Sequence, residues 1–411
     1  MRDPVSRCLC SALKLGVVLA LAACGGSPLS APAGEGVGSA PGPGTPADRV
    51  PLSSWDPLPP ASTPSLEVML AREQILGPNA IEPGKVKLWW VGVSSFVATG
   101  GGHLWLFDAW EPIGLQKDYV PIGRDELAAL APEAIFIGHG HFDHAADAGF
   151  IAGRSGAVVV GSDTICDTAK ADAARDGNAA NFTCLITGTE DTPPPGTVQM
   201  GKLWQDLPPV AVLQHIHSAL APQTFELGDT PFIHVPNLLP FLGYLNSDPQ
   251  ELLRFLTTLR DGQGGTWAYH LRFGDFSLFW HDSTGPITDA EPGGPEVRAA
   301  LNALPECVDV QVGAIVGFDQ PLSGLRDPRL YVEHAHPRLF LPTHHDAWAP
   351  VIGGGAAAYE AEWRAEMAAL PHPPLLDYLH DPVDYLKPRI YDIADPIWAQ
   401  PMPGSACAPA S

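Results

Sequence analysis

Apolar positions in this chain fall into short runs separated by Gly, Pro and polar clusters. Val86–Phe96 (VKLWWVGVSSF) is apolar with β-branched and aromatic side chains, the make-up of a buried strand. A glycine turn at 100–102 leads to a second strand, His103–Phe107, which stops at Asp108. Ala134–Ile137, Ala157–Gly161, Pro209–His217, Val308–Phe318 and Arg338–Pro342 read as further strands. Thr266–Phe273 and Phe276–Trp280 flank Gly274-Asp275, a strong hairpin signature. Between them, Asp125–Leu130, Asp167–Arg175, Glu296–Leu304 and Ala356–Leu370 have helical composition, the last with apolar spacing near 3.6. Strands interspersed with helices, several of them in hairpins, predict a mixed-sheet α/β architecture.

The N-terminal region follows a different pattern. Arg2, Arg7 and Lys14 precede the apolar run LGVVLALAA, the layout of a secretory signal over residues 1–23. That run is too short to span a bilayer, which needs roughly 20 apolar residues. Leu21-Ala22-Ala23-Cys24 resembles a bacterial lipoprotein cleavage box and predicts a lipid-anchored, exported protein of the cell envelope, held at the membrane through Cys24 alone. Residues 24–65 are rich in Gly, Pro, Ser and Ala, a composition that buries too little apolar surface to fold and is expected to form a disordered tether. Residues 66–411 then form one large catalytic domain.

Loss of residues 1–23 leaves 20 Lys+Arg against 45 Asp+Glu, making a chain of net charge −23 still more acidic. Such a surface repels phosphate backbones, so nucleic acid is excluded as a partner and a small molecule is the expected substrate. With Cys8 and Cys10 removed and Cys24 acylated, four cysteines remain. In an exported protein they can pair, and Cys166–Cys184 with Cys307–Cys407 is the expected arrangement among three possible ones.

The chemistry concentrates in GHGHFDH, residues 138–144, directly after a strand. His139 and His141 are two apart, so an extended segment aims both the same way, and Asp143 and His144 fall on the turn that follows. Imidazole nitrogen mixed with a carboxylate oxygen suits Zn²⁺, with Mn²⁺ or Fe²⁺ as alternatives.

GHGHFDH resembles the HxHxDH signature of the metallo-β-lactamase superfamily. The resemblance extends along residues ~86–346: Asp108 in FDAW, His217 in HIHS, Asp282 in LFWHDSTG and His344 in PTHHDAW follow in the superfamily's order. It implies a four-layer αββα sandwich of two mixed sheets flanked by helices. It also implies a binuclear centre, with His139, His141 and His217 on the first metal, Asp143, His144 and His344 on the second, and Asp282 between them. Asp143 and Asp282 would act catalytically as well as ligate, and Asp108 would orient a ligand histidine. The wider pattern, from LWWVGVSSF to PTHHDAW, looks most like the branch containing ascorbate-phosphate lactonases and N-acylphosphatidylethanolamine phospholipase D. That branch commonly places histidine where this chain has Val93.

Two alternatives stay open within the ligand set: His215 against His217, and His345 against His344. His281, His334 and His336 are expected to be structural or superficial, while Tyr269 and His270 are weak candidates for the pocket. The function implied is hydrolysis of a small ester, lactone or phosphodiester by a hydroxide bridging two metals. An iron-dependent oxidoreductase of the same fold, or a non-catalytic metal-binding envelope lipoprotein, are the competing readings. Loops 110–124, 222–246 and 319–333 are expected to set specificity.

Overall fold

Strands that are buried at every position need cover on both faces, and this chain supplies it by stacking two sheets between helices. The computed structural model describes residues 49–112, 120–218, 249, 253, 262–305, 307–317, 323–347 and 354–400. These lie in one unit, Thr45–Ser411. The first sheet comprises β1 (Arg49–Pro51), β2 (Lys85–Trp90), β3 (Phe96–Gly100), β4 (His103–Phe107), β5 (Ala134–Phe136), β6 (Val158–Gly161), β7 (Thr183–Ile186) and β15 (Arg389–Asp392), in the order β1-β7-β6-β5-β4-β3-β2-β15. The second comprises β8 (Val198–Gly201), β9 (Val210–His215), β10 (Thr266–Phe273), β11 (Phe276–His281), β12 (Val310–Ala314), β13 (Leu339–Thr343) and β14 (Leu375–Leu376), in the order β14-β13-β12-β11-β10-β9-β8.

Both sheets are mixed. β4, β5, β6 and β7 run parallel, whereas β2, β3 and β4 form an antiparallel meander. In the second sheet β11, β12 and β13 are parallel and β8 to β11 antiparallel. Aromatic rings fill the space between the sheets: Trp105 stacks on Phe273 at 5.7 Å, Phe107 on Trp280 at 4.8 Å, and Phe136 meets Tyr269 at 4.9 Å. Such pairs add to the burial of their large apolar areas. The Tyr269 hydroxyl also donates to Ile137 O (2.9 Å), a hydrogen bond from one sheet to the other.

Helices α4 (Ala148–Ser155) and α5 (Asp163–Arg175) cover the parallel part of the first sheet. On the far face of the second sheet, α6 (Gly294–Asn302) and α7 (Arg326–Ala335) pack Val297, Leu301 and Tyr331 against Leu213 and Phe279. Helix α8 (Ala356–Ala368) sets Trp363 against Phe340, ring centroids 5.3 Å apart. The layers are therefore helix, sheet, sheet, helix. The other α-helices are α1 (Leu66–Leu76), α2 (Arg124–Ala129) and α3 (Phe142–Ala145).

Three expectations change. The strand expected over Val86–Phe96 is two strands, because Gly92 and Val93 adopt φ of 101° and 52° and turn the chain. The stretch read as a tether to Ser65 is ordered from Arg49, since β1 pairs with β7 and Leu52, Trp55 and Leu58 pack on the core. Helix α5 starts at Asp163, not Asp167, because the Ser162 hydroxyl accepts from Ile165 N and caps it. Cys166 and Cys184 are disulfide-bonded, joining α5 to β7. Cys407, the partner expected for Cys307, lies outside the described residues, as do the signal, Cys24 and most of the tether.

At the start of β4, the fully buried His103 is clamped by Glu133 (Nδ1–Oε2 2.6 Å) and Asp206 (Nε2–Oδ1 3.0 Å), and Trp204 donates to the same Glu133 oxygen. Burial alone would lower the pKa of His103, but the two carboxylates outweigh it and the pKa is raised. The clamp joins the first sheet to the β8–β9 connection of the second. A raised histidine pKa stabilises the fold fully below the unfolded value of about 6.5 and loses that contribution as pH climbs through the folded pKa. Thermal unfolding followed from pH 6 upward should therefore show a falling midpoint in the wild type and a flatter profile in His103→Gln. Parallel profiles would contradict the clamp.

Candidate metal centre

Strand ends from both sheets converge on one spot, and two glycines permit it. A Cβ on Gly138 would lie 2.1 Å from Asp282 Cγ, and one on Gly140 would lie 2.2 Å from Gly262 O. The alternation Gly-His-Gly-His thus lets the backbone pass under Asp282 while His139 and His141 point outward. His141 then caps α3, its carbonyl accepting from His144 N and Ala145 N at 3.0 Å, and the single turn of helix presents Asp143 and His144. His217 follows β9, Asp282 follows β11 and His344 follows β13. All are at carboxyl ends of strands, the usual place for sites in α/β sheets.

The predicted residues gather into two groups. In the first, His139 Nε2 lies 3.0 Å from His141 Nδ1 and 3.1 Å from His217 Nε2. In the second, Asp143 Oδ2 lies 3.3 Å from His144 Nε2 and 3.4 Å from His344 Nε2, and those two nitrogens are 3.3 Å apart. A tetrahedral ion with bonds of about 2.1 Å holds its ligand atoms roughly 3.4 Å apart, so both spacings suit a divalent cation. Asp282 stands between the groups. Its Oδ2 contacts one histidine of each, at His139 Nδ1 (2.7 Å) and His144 Nδ1 (3.3 Å). Its Oδ1 is buried with no hydrogen-bond partner among the described residues.

The charges fit the same occupant. Asp108, Asp143 and Asp282 are all buried, and like charges packed this closely oppose one another's ionisation. Burial, reinforced by Asp282, pushes Asp108 up to about 7. Burial would also raise Asp143, but His144 and His344 hold it well below the usual carboxylate range. Burial keeps His139 and His217 well below 6.5, and so neutral, the form that ligates. Burial opposes the charge on His144 too, yet Asp143, Asp108 and Asp282 raise its pKa well above 6.5. The donor set therefore fits divalent cations in both groups.

Asp108 takes the supporting place expected of it. Its Oδ2 accepts from His144 Nδ1 (2.7 Å) and from the Ser94 hydroxyl (2.8 Å), while Oδ1 accepts from Gly138 N (3.2 Å). Ser94 was not among the predicted residues, although its place in the turn after Trp90 is a signal of sorts. Val93, in the same turn, is a β-branched residue at positive φ, where such side chains are strained. Its N–H donates to Asp346 Oδ2 (3.0 Å) and its carbonyl accepts from His344 N (3.0 Å) and Trp90 Nε1 (2.9 Å). The turn is thereby tied to the segment that carries His344. The Val93 side chain packs with Trp110, Ala146 and Phe142 in a small apolar cluster beside α3.

The rival histidines go elsewhere. His215 donates from Nδ1 to the Tyr331 hydroxyl (3.0 Å), and His345 bonds Leu379 O (2.8 Å) while stacking on Trp90. His281 faces Ser283 O and Gln311, and Tyr269 is spent on the contact between sheets. His270 is buried against Phe279, and His334 meets Asn302 at the surface. Of the loops expected to set specificity, residues 113–119, 222–246 and 319–322 lie outside the described residues.

The sequence profile of the Metallo-beta-lactamase superfamily matches residues 88–219. A UPF0173 metal-dependent hydrolase of Myxococcus xanthus is 37% identical over 86 residues, 21% of this chain and 29% of that protein. One of Pyrobaculum neutrophilum is 34% identical over 77 residues, 19% of this chain and 32% of that protein. The chain thus matches about a third of the length of these relatives. Among solved structures, Igni18, a metallo hydrolase of the archaeon Ignicoccus hospitalis, aligns over 75% of this chain and 98% of its own with 14% identity and a TM-score of 0.43.

Under saturating zinc, His217→Ala and His344→Ala should each bind one equivalent fewer than wild type by elemental analysis. His345→Ala should keep the wild-type content and lose thermal stability instead. Equal zinc in all four proteins would contradict the assignment.

Proposed function

We propose that the protein is a hydrolase dependent on two divalent metal ions, zinc foremost, acting on a small ester, lactone or phosphodiester. The observation that carries this reading is the convergence of two three-ligand groups, with a carboxylate between them, from strand ends scattered over some 200 residues. The superfamily match over residues 88–219 supports it. Two such cations would lower the pKa of a water between them toward neutrality and polarise the oxygen of the scissile group.

The chain's own residues prepare that chemistry. His139, His141 and His217 would hold one cation through Nε2, Nδ1 and Nε2, the atoms they turn toward one another, and Asp143, His144 and His344 would hold the other. Asp108 takes the His144 Nδ1 proton in a hydrogen bond and so leaves Nε2 as the ligand atom, a tautomer-fixing contact common around metal sites. Asp282 stands against a histidine of each group and ties the two halves of the site together. Val93, Trp110 and Ala146, with Phe142 against them, form a small apolar cluster beside the helix that carries Asp143 and His144.

The setting proposed is the bacterial cell envelope, with Cys24 as lipid anchor and the chain up to Arg49 as spacer. The Cys166–Cys184 disulfide supports an oxidising compartment. No helix among the described residues is long and apolar enough to cross a membrane. The acidic surface supports a small-molecule substrate over nucleic acid.

A panel of 4-nitrophenyl esters, lactones and bis(4-nitrophenyl) phosphate tests the reading. At least one should be hydrolysed by wild type, with the rate abolished by chelator, restored by zinc and reduced by about 100-fold or more in His141→Ala. Turnover that survives complete metal removal would refute it.

A further inference from the structure

Behind the proposed centre, on the helix-covered face of the second sheet, lies a set of buried polar side chains that the ligand set does not use. His215 ends β9 and His281 ends β11, each at most 2% exposed. Tyr331 reaches them from α7, its ring 5.5 Å from that of His215 and 5.3 Å from that of His281. Its hydroxyl donates to Ile216 O (3.2 Å) and accepts from His215 Nδ1 (3.0 Å). His281 donates from Nδ1 to Ser283 O (3.1 Å) and accepts at Nε2 from Gln311 (2.9 Å).

The carbonyls held here flank two of the proposed ligands. Ile216 immediately precedes His217, and Ser283 immediately follows Asp282. The two turns are also bonded to each other, Gly285 N to Ile216 O (2.9 Å) and Ser218 N to the Ser283 hydroxyl (3.2 Å). A residue that fixes Ile216 O therefore acts on both turns. Hydrophobic packing of α7 needs only the ring of Tyr331, so the placement of its hydroxyl between His215 and Ile216 calls for a further reason. Burying four polar side chains, Gln311 among them, in an otherwise apolar layer is costly unless their bonds are made, and most are, with His215 Nε2 and Gln311 Oε1 lacking a partner among the described residues.

We propose that Tyr331 is a positioning residue for the metal centre, its hydroxyl setting the turn from which His217 reaches the first group, with His281 doing the same for the turn of Asp282. This rests on the metal-centre reading. It also bears on the two histidines of His215-Ile216-His217: Tyr331 holds the first at the end of β9, and the second, past the strand end, is the one that reaches His139.

The experiment is a chelator-competition titration of zinc into metal-free full-length protein, resolving two affinities, with thermal unfolding alongside. Tyr331→Phe keeps the ring and should still bind two zinc ions at saturation. Its affinity at the group containing His217 should fall by about 10-fold, the lower end of the range seen when supporting contacts around metal ligands are removed. Affinity at the group of Asp143, His144 and His344 should stay at the wild-type value. His281→Asn retains a donor for Ser283 O and should bind as wild type, whereas His281→Leu should bind more weakly. A lower unfolding midpoint with both affinities unchanged in Tyr331→Phe would overturn the proposal and leave a structural role. If Tyr331→Phe does not fold, the His281 pair decides by the same comparison, equal affinities in Asn and Leu variants overturning it. A wild type that binds no zinc overturns the metal centre itself and the inference with it, while a zinc-binding wild type with an unaffected Tyr331→Phe overturns only the positioning role.

Discussion

Packing of aromatic rings between the two sheets is the constraint on which the rest of this structure depends. Trp105 on Phe273, Phe107 on Trp280 and Phe136 against Tyr269 set the separation of the sheets along their length. Three of the strands that carry these rings lead into the site: β4 to Asp108, which supports His144, β5 to His139, and β11 to Asp282. A protein interior packs at crystal-like density, so a ring lost from this layer shifts its strand and with it the ligand at the strand's end. The Tyr269 hydroxyl reinforces the arrangement by bonding Ile137 O, two residues before His139.

The electrostatics follow from that geometry. Closing the sheets gathers three carboxylates, Asp108, Asp143 and Asp282, and five histidines, His139, His141, His144, His217 and His344, into one cluster that protons alone satisfy poorly. Protonating His144 serves Asp108, Asp143 and Asp282 at once but leaves the facing histidines, which burial holds neutral, with nitrogens aimed at one another. Divalent cations would resolve both problems by taking up the neutral nitrogens and the negative charge together. Strain is stored in the same region. Val93, Asp108 and His344 all take positive φ, and each is held there by bonds to another member of the site or its support. Backbone strain of this kind concentrates where function requires a fixed geometry.

Much of this was legible in the sequence, for a physical reason that differs by feature. Core strands such as His103–Phe107 announce themselves because they are apolar at every position, and the hairpin at Gly274-Asp275 because few residues make that turn. GHGHFDH is legible because its ligands are local. Features that depend on distant partners were not. His215, the rival to His217, is held by Tyr331, which lies 116 residues away. The break of the first strand at Val93 depends on Asp346, 253 residues away. The His103 clamp needs Asp206, and β1 and β15 are short edge strands whose pairing no local pattern reveals. The tether boundary was misplaced because composition averages over a stretch in which three apolar side chains, Leu52, Trp55 and Leu58, suffice to hold the chain down.

The proposed centre holds two cations, one within each ligand group, and anomalous diffraction from zinc-loaded crystals tests that most directly. Two peaks are predicted, roughly 3.5–4 Å apart, one among His139, His141 and His217 and the other among Asp143, His144 and His344, with Asp282 between them. A single peak, or zinc found only away from these residues, would contradict the account.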